Sequence, residues 1–413
     1  MGTLRTITDD AKLAGKRVLL RGALDVPLEK TARGGLLVAD DFRLQQLVST
    51  IVRLAKARAR IVLVGHIGRP HGRRVASLSL RPVISRLQQL LPPEVGDISF
   101  SLLHDFGLLA KRSKKIELGH ILALENLRFF SGEEANNPAF AKQLASLGDV
   151  YVNECFSNSH RAHASMLGVA KLLPAYAGWQ LARELKVLED VRSHPKKPFV
   201  LLMGGIKMDK LPVLTNLAPH TSAILLGGGL ANTFLQIQKI PVGKSAVGEK
   251  VSKVLLRKLL KEQRRFFGRG MKALIHLPKD VVVAKSPTAM PRLVDLENGE
   301  KVKAGEIIYD IGPKTVLEYA TIIKAAATIV WNGPVGMFEK PVFAQGSRSL
   351  GWLIAARSEG PAFGVVGGGD TLEVLKSTGM ESYVDYRSTG GGAMTTLLAG
   401  KELAAVPPLY RKQ

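Results

Sequence analysis

Two open α/β sheets, each covered by helices on both faces, are what this sequence predicts. Three observations lead there. Short β-rich apolar runs alternate with helical patterns along the chain, the signature of parallel sheets with crossover helices. The runs form two series with one long helical pattern between them. Several runs in the second series end abruptly in glycines. At 413 residues the chain is also too long for one ordinary core, so two domains are expected.

The first series places strands at Val18–Leu20, Ile61–Val64, Ile121–Leu124 and Asp149–Asn153. A helical pattern then runs from Tyr176 to Arg192, bounded by Pro174 and Pro195, and reads as a rigid connector. The second series places strands at Phe199–Met203, Ala223–Leu226, Ala273–Ile275, Thr328–Trp331 and Gly364–Val366. No low-complexity tract and no 20–50-residue repeat interrupts the pattern.

The glycine clusters of the second half carry the strongest chemical signal. Residues 364–371 read Gly-Val-Val-Gly-Gly-Gly-Asp-Thr. An apolar strand that breaks into glycines before a helix brings bare backbone N–H groups up to a phosphate. Asp370 adds an oxygen ligand that suits Mg²⁺. Gly204-Gly205, Gly227-Gly228-Gly229 and Gly333 to Gly336 follow other apolar runs, and Gly390-Gly391-Gly392 lies near the C-terminus. Several such clusters at βα spacing point to a nucleotide. Gly243-Lys244-Ser245 ends like a P-loop, but Gln238 stands where its first glycine is required.

The first half differs. Arg21, Arg43, His66, Arg69, Arg128, His160, Arg161 and His163 fall at or just after strand ends. Ligands of open α/β sheets bind there, so these residues read as an anion pocket.

The formal net charge is +23, concentrated in residues 53–60, in Lys111-Arg112-Ser113-Lys114-Lys115, and in a helical pattern over 250–272 with nine basic residues. A solvated face and a nucleic-acid contact are both open readings of that last segment. Cys155, the single cysteine, excludes an internal disulfide and fits a reducing compartment. No signal-peptide core and no apolar run of spanning length stands out, so a cytoplasmic protein without a membrane partner is expected.

Read in order, the motifs resemble phosphoglycerate kinase over nearly the whole chain. They are Arg21-Gly22-Ala23-Leu24-Asp25-Val26-Pro27, His66-Ile67-Gly68-Arg69-Pro70, Glu125-Asn126-Leu127-Arg128-Phe129 and His160-Arg161-Ala162-His163-Ala164-Ser165. In the second half, Asp310-Ile311-Gly312-Pro313-Lys314-Thr315, Trp331-Asn332-Gly333-Pro334, Gly367 to Thr371 and Ser388 to Ala393 are close matches to that family. The resemblance implies two Rossmann-like doubly wound parallel-sheet domains joined by a helix. Residues 1–172 would bind phosphoglycerate, 173–195 would connect, 196–390 would bind nucleotide, and 391–413 would return to the first domain.

It also implies a function: reversible, Mg²⁺-dependent phosphoryl transfer between 1,3-bisphosphoglycerate and ADP, giving 3-phosphoglycerate and ATP, by a monomer. Arg21, Asp25, Arg43, His66, Arg69, Arg128 and Arg161 would hold the phosphoglycerate. Lys207 and Lys210 would meet the nucleotide phosphates and the group in flight, with Arg43 as their catalytic partner. Gly204, Gly205, Gly228, Asn332, Gly367, Gly368, Gly369 and Thr371 would surround the nucleotide. Glu339 would hold the ribose hydroxyls and Asp370 the metal. Two ligands on two domains would require closure around them.

The chain departs from the family at three places. Ala23 stands where the family has the Asp that grips the substrate hydroxyl, and Asp25 where it has Asn. The segment Gly204-Gly205-Ile206-Lys207-Met208-Asp209-Lys210 is one residue short, which brings its lysines to i, i+3. Glu154 to Ser159 loses a glycine before His160. A nucleotide-binding pseudoenzyme, or a kinase of a different carboxylate, with nucleic-acid binding through the basic surface, therefore stays open as the alternative.

Overall fold

Strands with no polar face need cover on both sides, and this chain buries its strands in that way. The structure is a computed structural model that describes residues 2–7, 12–32, 34–206, 210–248, 254 and 274–411. Most of the expected basic helix over 250–272, and Lys207, lie outside the described residues. The chain divides into two compact units, Met1–Val187 with Glu402–Gln413, and Leu188–Lys401.

The first unit carries β1 (Arg17–Gly22), β2 (Leu28–Lys30), β3 (Leu36–Val38), β4 (Arg60–Val64), β5 (Ile98–Ser101), β6 (Ile121–Leu124), β7 (Val150–Glu154) and β8 (Ala175–Ala177). Six of these form one sheet in the order β5-β6-β4-β1-β7-β8, with every pairing parallel. The small antiparallel ribbon β2–β3 stands apart. Helices α1 (Phe42–Lys56), α2 (Arg81–Leu90), α3 (Phe106–Lys114), α4 (Ser131–Glu134) and α5 (Pro138–Ala145) cross between strands. In α1, Leu44, Leu47, Ile51, Leu54 and Ala55 bury one stripe, while Arg53 and Lys56 oppose the dipole of its last turn. Asp105 caps α3 and Asn137 caps α5, each side chain accepting two backbone N–H groups.

The helix expected as the connector is α6 (Trp179–Ser193). The expected start at Tyr176 is displaced because Ala175–Ala177 pairs with β7 as an edge strand. The helix begins where Glu154 caps it: Oε1 accepts from Gln180 N at 2.8 Å and Oε2 from Leu181 N at 3.0 Å. Thr50 of α1 also donates to that carboxylate.

The second unit carries β9 (Phe199–Met203), β10 (Ala223–Leu226), β11 (Leu274–His276), β12 (Asp280–Ala284), β13 (Arg292–Asp295), β14 (Ile307–Ile311), β15 (Thr328–Asn332), β16 (Phe363–Gly367) and β17 (Tyr386–Ser388). Its main sheet is again parallel throughout, in the order β11-β10-β9-β15-β16-β17. The helices are α7 (Leu211–Leu217), α8 (Gly228–Ile237), α9 (Pro313–Lys324), α10 (Gln345–Ser358), α11 (Gly369–Ser377) and α12 (Gly391–Leu398). A three-stranded antiparallel sheet, β13-β12-β14, closes on its own core of Val281, Val283, Val294 and Val302.

The chain end is split. Helix α12 belongs to the second unit, where Asn216 Nδ2 of α7 donates to Leu398 O at 2.8 Å. Residues from Glu402 belong to the first, where Ala405 N donates to Ser159 O at 3.0 Å and Arg5 N to Leu409 O at 2.9 Å.

Candidate active site

In the first unit the expected site residues lie at or beyond the carboxyl ends of β1, β4, β6 and β7. Parallel register sets this up: Arg21 lies opposite Val64 on one side and Asn153 on the other. The loops leaving these strands are then tied together. Asn126 Nδ2 donates to Ile67 O at 2.8 Å and to Leu78 O at 2.9 Å, while its Oδ1 accepts from Arg128 N at 3.1 Å. Arg128 Nη1 donates to Gly68 O at 2.7 Å, and its Nε lies 3.2 Å from Glu134 Oε1. Asp25 Oδ1 accepts from Gly68 N at 2.9 Å, and the backbone carbonyl of Asp25 accepts from Arg43 Nη1. Gly68 has φ +63°, a left-handed conformation that favours glycine, and a Cβ there would press on the Leu78 side chain.

The basic residues occupy two levels. Arg69 is exposed, and Arg43 and Arg161 are half-buried. His66 and Arg128 are buried, and Arg21 is 0% exposed. Arg21 Nε donates to Ser165 Oγ at 2.9 Å and Nη2 reaches His66 Nδ1 at 2.6 Å. Glu133, fully buried, accepts from Ser165 Oγ at 2.6 Å and from Ser165 N at 2.9 Å. Burial raises the Glu133 carboxyl above its ordinary value, and the Arg21 guanidinium opposes that shift. Burial also pushes His66 well below the ordinary imidazole value, assisted by Arg21, Arg128, His163 and Arg43. His163 is lowered to about 4 by burial and then by Arg128 and Arg21. Burial and the neighbouring cations thus disfavour protonation of both histidines, and the arginines supply the positive charge at these strand ends.

In the second unit the glycine turns stack at the carboxyl edge of the sheet. Asn332 lies opposite Met203 and Gly367, which aligns three strand ends. Gly204 N donates to Asn332 O at 3.1 Å, Gly205 N to Pro334 O at 2.7 Å and Gly228 N to Val335 O at 3.0 Å. The approach is so close that a Cβ on Gly204 would lie 2.0 Å from Pro334 O. Lys210 Nζ donates to Gly204 O at 2.8 Å and Asn332 O at 3.1 Å, bridging β9 and β15. Thr371 is fully buried, and its Oγ1 accepts from Gly333 N at 2.7 Å. Gly368 turns at φ +100° into α11, leaving Gly369 exposed with open space beside it. Asp370 is exposed in the first turn of that helix, and Glu339 is exposed on the loop after β15. The helix start thus presents unobstructed backbone beside an outward carboxylate.

The family profile described as phosphoglycerate kinase matches residues 8–401. This chain belongs to the phosphoglycerate kinase family. A phosphoglycerate kinase from Thermomicrobium roseum is 40% identical over 415 residues, covering 99% of this chain and 100% of that one. One from Chloroflexus aurantiacus is 39% identical, covering 97% of each. Among solved structures, phosphoglycerate kinase from Coxiella burnetii matches with a TM-score of 0.79 at 33% identity, covering 98% of this chain and 99% of that one. The structure of phosphoglycerate kinase from Pyrococcus horikoshii matches at 0.80 and 27% identity, covering 98% of each.

Within this phosphoglycerate kinase fold, the expected residues fall into distinct positions. Asp25, Arg43, His66, Arg69, Arg128 and Arg161 lie on the loops at the basic strand ends. Arg21 lies behind them, with its guanidinium bonded to Ser165 and His66. Gly204, Gly205, Gly228, Asn332 and Gly367 to Gly369 form the glycine-lined edge. Lys210 and Thr371 are engaged with backbone of that edge. Three residues that organise the basic site were not among the expected site residues. Asn126 and Ser165 sit inside matched motifs, whereas Glu133 reads as an ordinary polar position. Glu133 is the one that only packing reveals, since Ser-Gly-Glu-Glu has the look of an exposed helix start.

Proposed function

We propose that this chain catalyses reversible phosphoryl transfer between 1,3-bisphosphoglycerate and ADP, yielding 3-phosphoglycerate and ATP. The observation that carries the reading is a full-length match to one enzyme family in a chain that keeps a cationic strand-end pocket and a glycine-built phosphate turn. In the ATP-consuming direction a carboxylate oxygen of 3-phosphoglycerate attacks the γ-phosphorus, and the bond to the bridging β,γ-oxygen breaks. The attacking carboxylate is already ionised at neutral pH, so no base has to remove a proton. Catalysis reduces to positioning and to neutralising charge on the moving group.

Arg43, Lys207 and Lys210 are our assignment for the charge work. Asp25, His66, Arg69, Arg128 and Arg161 hold the acceptor, with Arg21 supporting them from behind. Gly204, Gly205, Gly228, Asn332, Gly367 to Gly369 and Thr371 shape the nucleotide side, and Glu339 meets the ribose. Among the described residues there is no cluster of three or more metal-ligating side chains. Mg²⁺ fits as an ion held by Asp370 and phosphate oxygens, a donor set this hard cation favours. When bound it lowers the charge repulsion of the phosphates. We take residues 1–172 and 196–390 as the acceptor and nucleotide domains of a cytoplasmic monomer. No described helix is long and apolar enough to cross a membrane.

The test is steady-state turnover with 3-phosphoglycerate and ATP, with the acyl phosphate trapped as its hydroxamate, with and without Mg²⁺. Hydroxamate formation that depends on both substrates and is lost with EDTA is expected. Absence of product at millimolar acceptor, in protein whose melting temperature still rises with ADP, would overturn the proposal.

A further inference from the structure

The basic excess of residues 53–60 and 111–115 comes together in the fold. In a sheet whose strands all run one way, the loops that enter them share the edge opposite the site, about 15–20 Å away by strand length. At that edge of the first unit, Gly15 N donates to Arg58 O at 3.0 Å, Arg60 N to Lys16 O at 2.8 Å and Gly119 N to Ala59 O at 2.8 Å. Arg60 reaches across these loops, from Nε to Ile116 O at 2.9 Å and from Nη1 to Gly15 O at 2.8 Å. Arg17 Nη1 donates to Ser113 Oγ at 3.2 Å, which brings in the last turn of α3. The loops before β1, β4 and β6 and the end of α3 are thereby one braced surface.

Its exposed cations include Lys16, Arg58, Lys111, Lys114 and Lys115. The carboxylates nearby face other cations: Asp149 pairs with Arg17 at 2.5 Å, Glu94 lies 3.8 Å from Lys56, and Glu117 lies 3.5 Å from His120. Basic residues in the last turn of a helix complement its dipole, which gives Lys111 and Lys114 a structural use. That does not account for Arg58. Arg58 N donates to Ala55 O at 2.8 Å and Ala59 N to Leu54 O at 3.1 Å, the two bonds that close a helix around a left-handed residue. Arg58 is that residue, at φ +56°, where glycine is the favoured occupant. The chain keeps a cation where the fold prefers glycine.

Two features choose the partner. Residues 57–60 and 111–120 contain no Phe, Tyr or Trp, so they offer neither a platform for unpaired bases nor an aromatic anchor for a bilayer interface. Glu117, its side chain 82% exposed, also stands among the lysines. A flat anionic membrane would press on that carboxylate, whereas the narrow phosphate ridge of a duplex passes beside it. What remains is contact with phosphates alone, at the charge density of a duplex.

We infer that the amino edge of the first sheet binds the phosphate backbone of duplex nucleic acid without regard to sequence. The inference does not depend on the acceptor reading of the opposite edge.

The test is fluorescence anisotropy with labelled duplex DNA and duplex RNA of unrelated sequences over a potassium chloride series. Duplexes of different sequence should bind alike. For the DNA, log K should fall against log salt with a slope of about −4 to −5, since a phosphate contact from each named cation adds about −0.9. Combining Lys111→Gln, Lys114→Gln and Lys115→Gln should flatten the slope by about 3 and weaken binding at low salt by about tenfold or more. Arg58→Gly should flatten it by about 1 while the melting temperature holds or rises, which separates a binding cation from a structural one. Millimolar 3-phosphoglycerate should leave the duplex bound, because the acceptor pocket opens on the other edge. No binding at low salt, a slope that the triple variant leaves unchanged, or displacement by 3-phosphoglycerate would overturn the inference. So would an Arg58→Gly variant that loses stability at unchanged slope, or capture by phosphatidylglycerol vesicles without duplex binding.

Discussion

Glu154 sets two effects directly against each other. Its carboxylate accepts from Gln180 N, Leu181 N and Thr50 Oγ1, all of which favour the charged form. It is also completely buried, which disfavours that form, and burial prevails: the pKa is pushed up to about 7 from the ordinary 4.5. A carboxyl with a raised folded pKa binds more protons folded than unfolded between those values. Its contribution is therefore present at low pH and lost as pH rises from 4.5 to 7. The gap between 4.5 and about 7, at about 1.4 kcal/mol per pH unit, amounts to about 3 kcal/mol. Most of that falls between pH 5 and pH 8. Urea unfolding of wild type and Glu154→Gln at the two pH values, followed by amide exchange of β1 in the same unit, isolates the effect because glutamine does not titrate. The wild type should lose about 2–3 kcal/mol relative to the variant on going from pH 5 to pH 8. A difference that stays constant, or a wild type that gains with pH, would mean that the three donors hold the group ionised and that the desolvation argument is wrong.

Three further outcomes follow from the same packing. Lys210→Met removes two charge-assisted bonds to Gly204 O and Asn332 O, which should cost the second unit about 2–4 kcal/mol in thermal unfolding and weaken ADP by tenfold or more in calorimetry. Thr371→Val leaves the Gly333 N–H without its acceptor, for a loss of about 1–2 kcal/mol, read by denaturant midpoint. Ala23→Asp forces a carboxylate into the apolar cluster with Cys155, Met166 and Ala405. It should destabilise the first unit by about 2–4 kcal/mol, more at pH 8 than at pH 5, as measured by urea titration at both.

The central strands were legible because a parallel sheet buried on both faces leaves continuous apolar runs. Phe199–Met203 and Ala223–Leu226 fall where expected, residue for residue. The edges were not. Ala175–Ala177 and Tyr386–Ser388 are three-residue strands whose pairing comes from neighbours distant in sequence, so no local period marks them. Ile98–Ser101 alternates apolar and polar residues only briefly. The antiparallel sheet over 280–311 escaped because its valine-rich strand resembles one more member of the parallel series. At the site, the residues that face ligands announce themselves by chemistry: arginines and histidines at strand ends, glycines before a helix. Those that act from behind do not. Whether Arg21 faces a ligand or a serine, and whether Lys210 faces a phosphate or two carbonyls, depends on side-chain direction, which strings of letters do not carry.

The Glu133–Ser165–Arg21 chain has an evolutionary corollary. Each member neutralises or satisfies the next, so replacing any one alone strands a charge or a donor in the interior. Descent can alter the rim residues one at a time, testing new acceptors as it goes. The foundation beneath them yields only to several exchanges made together.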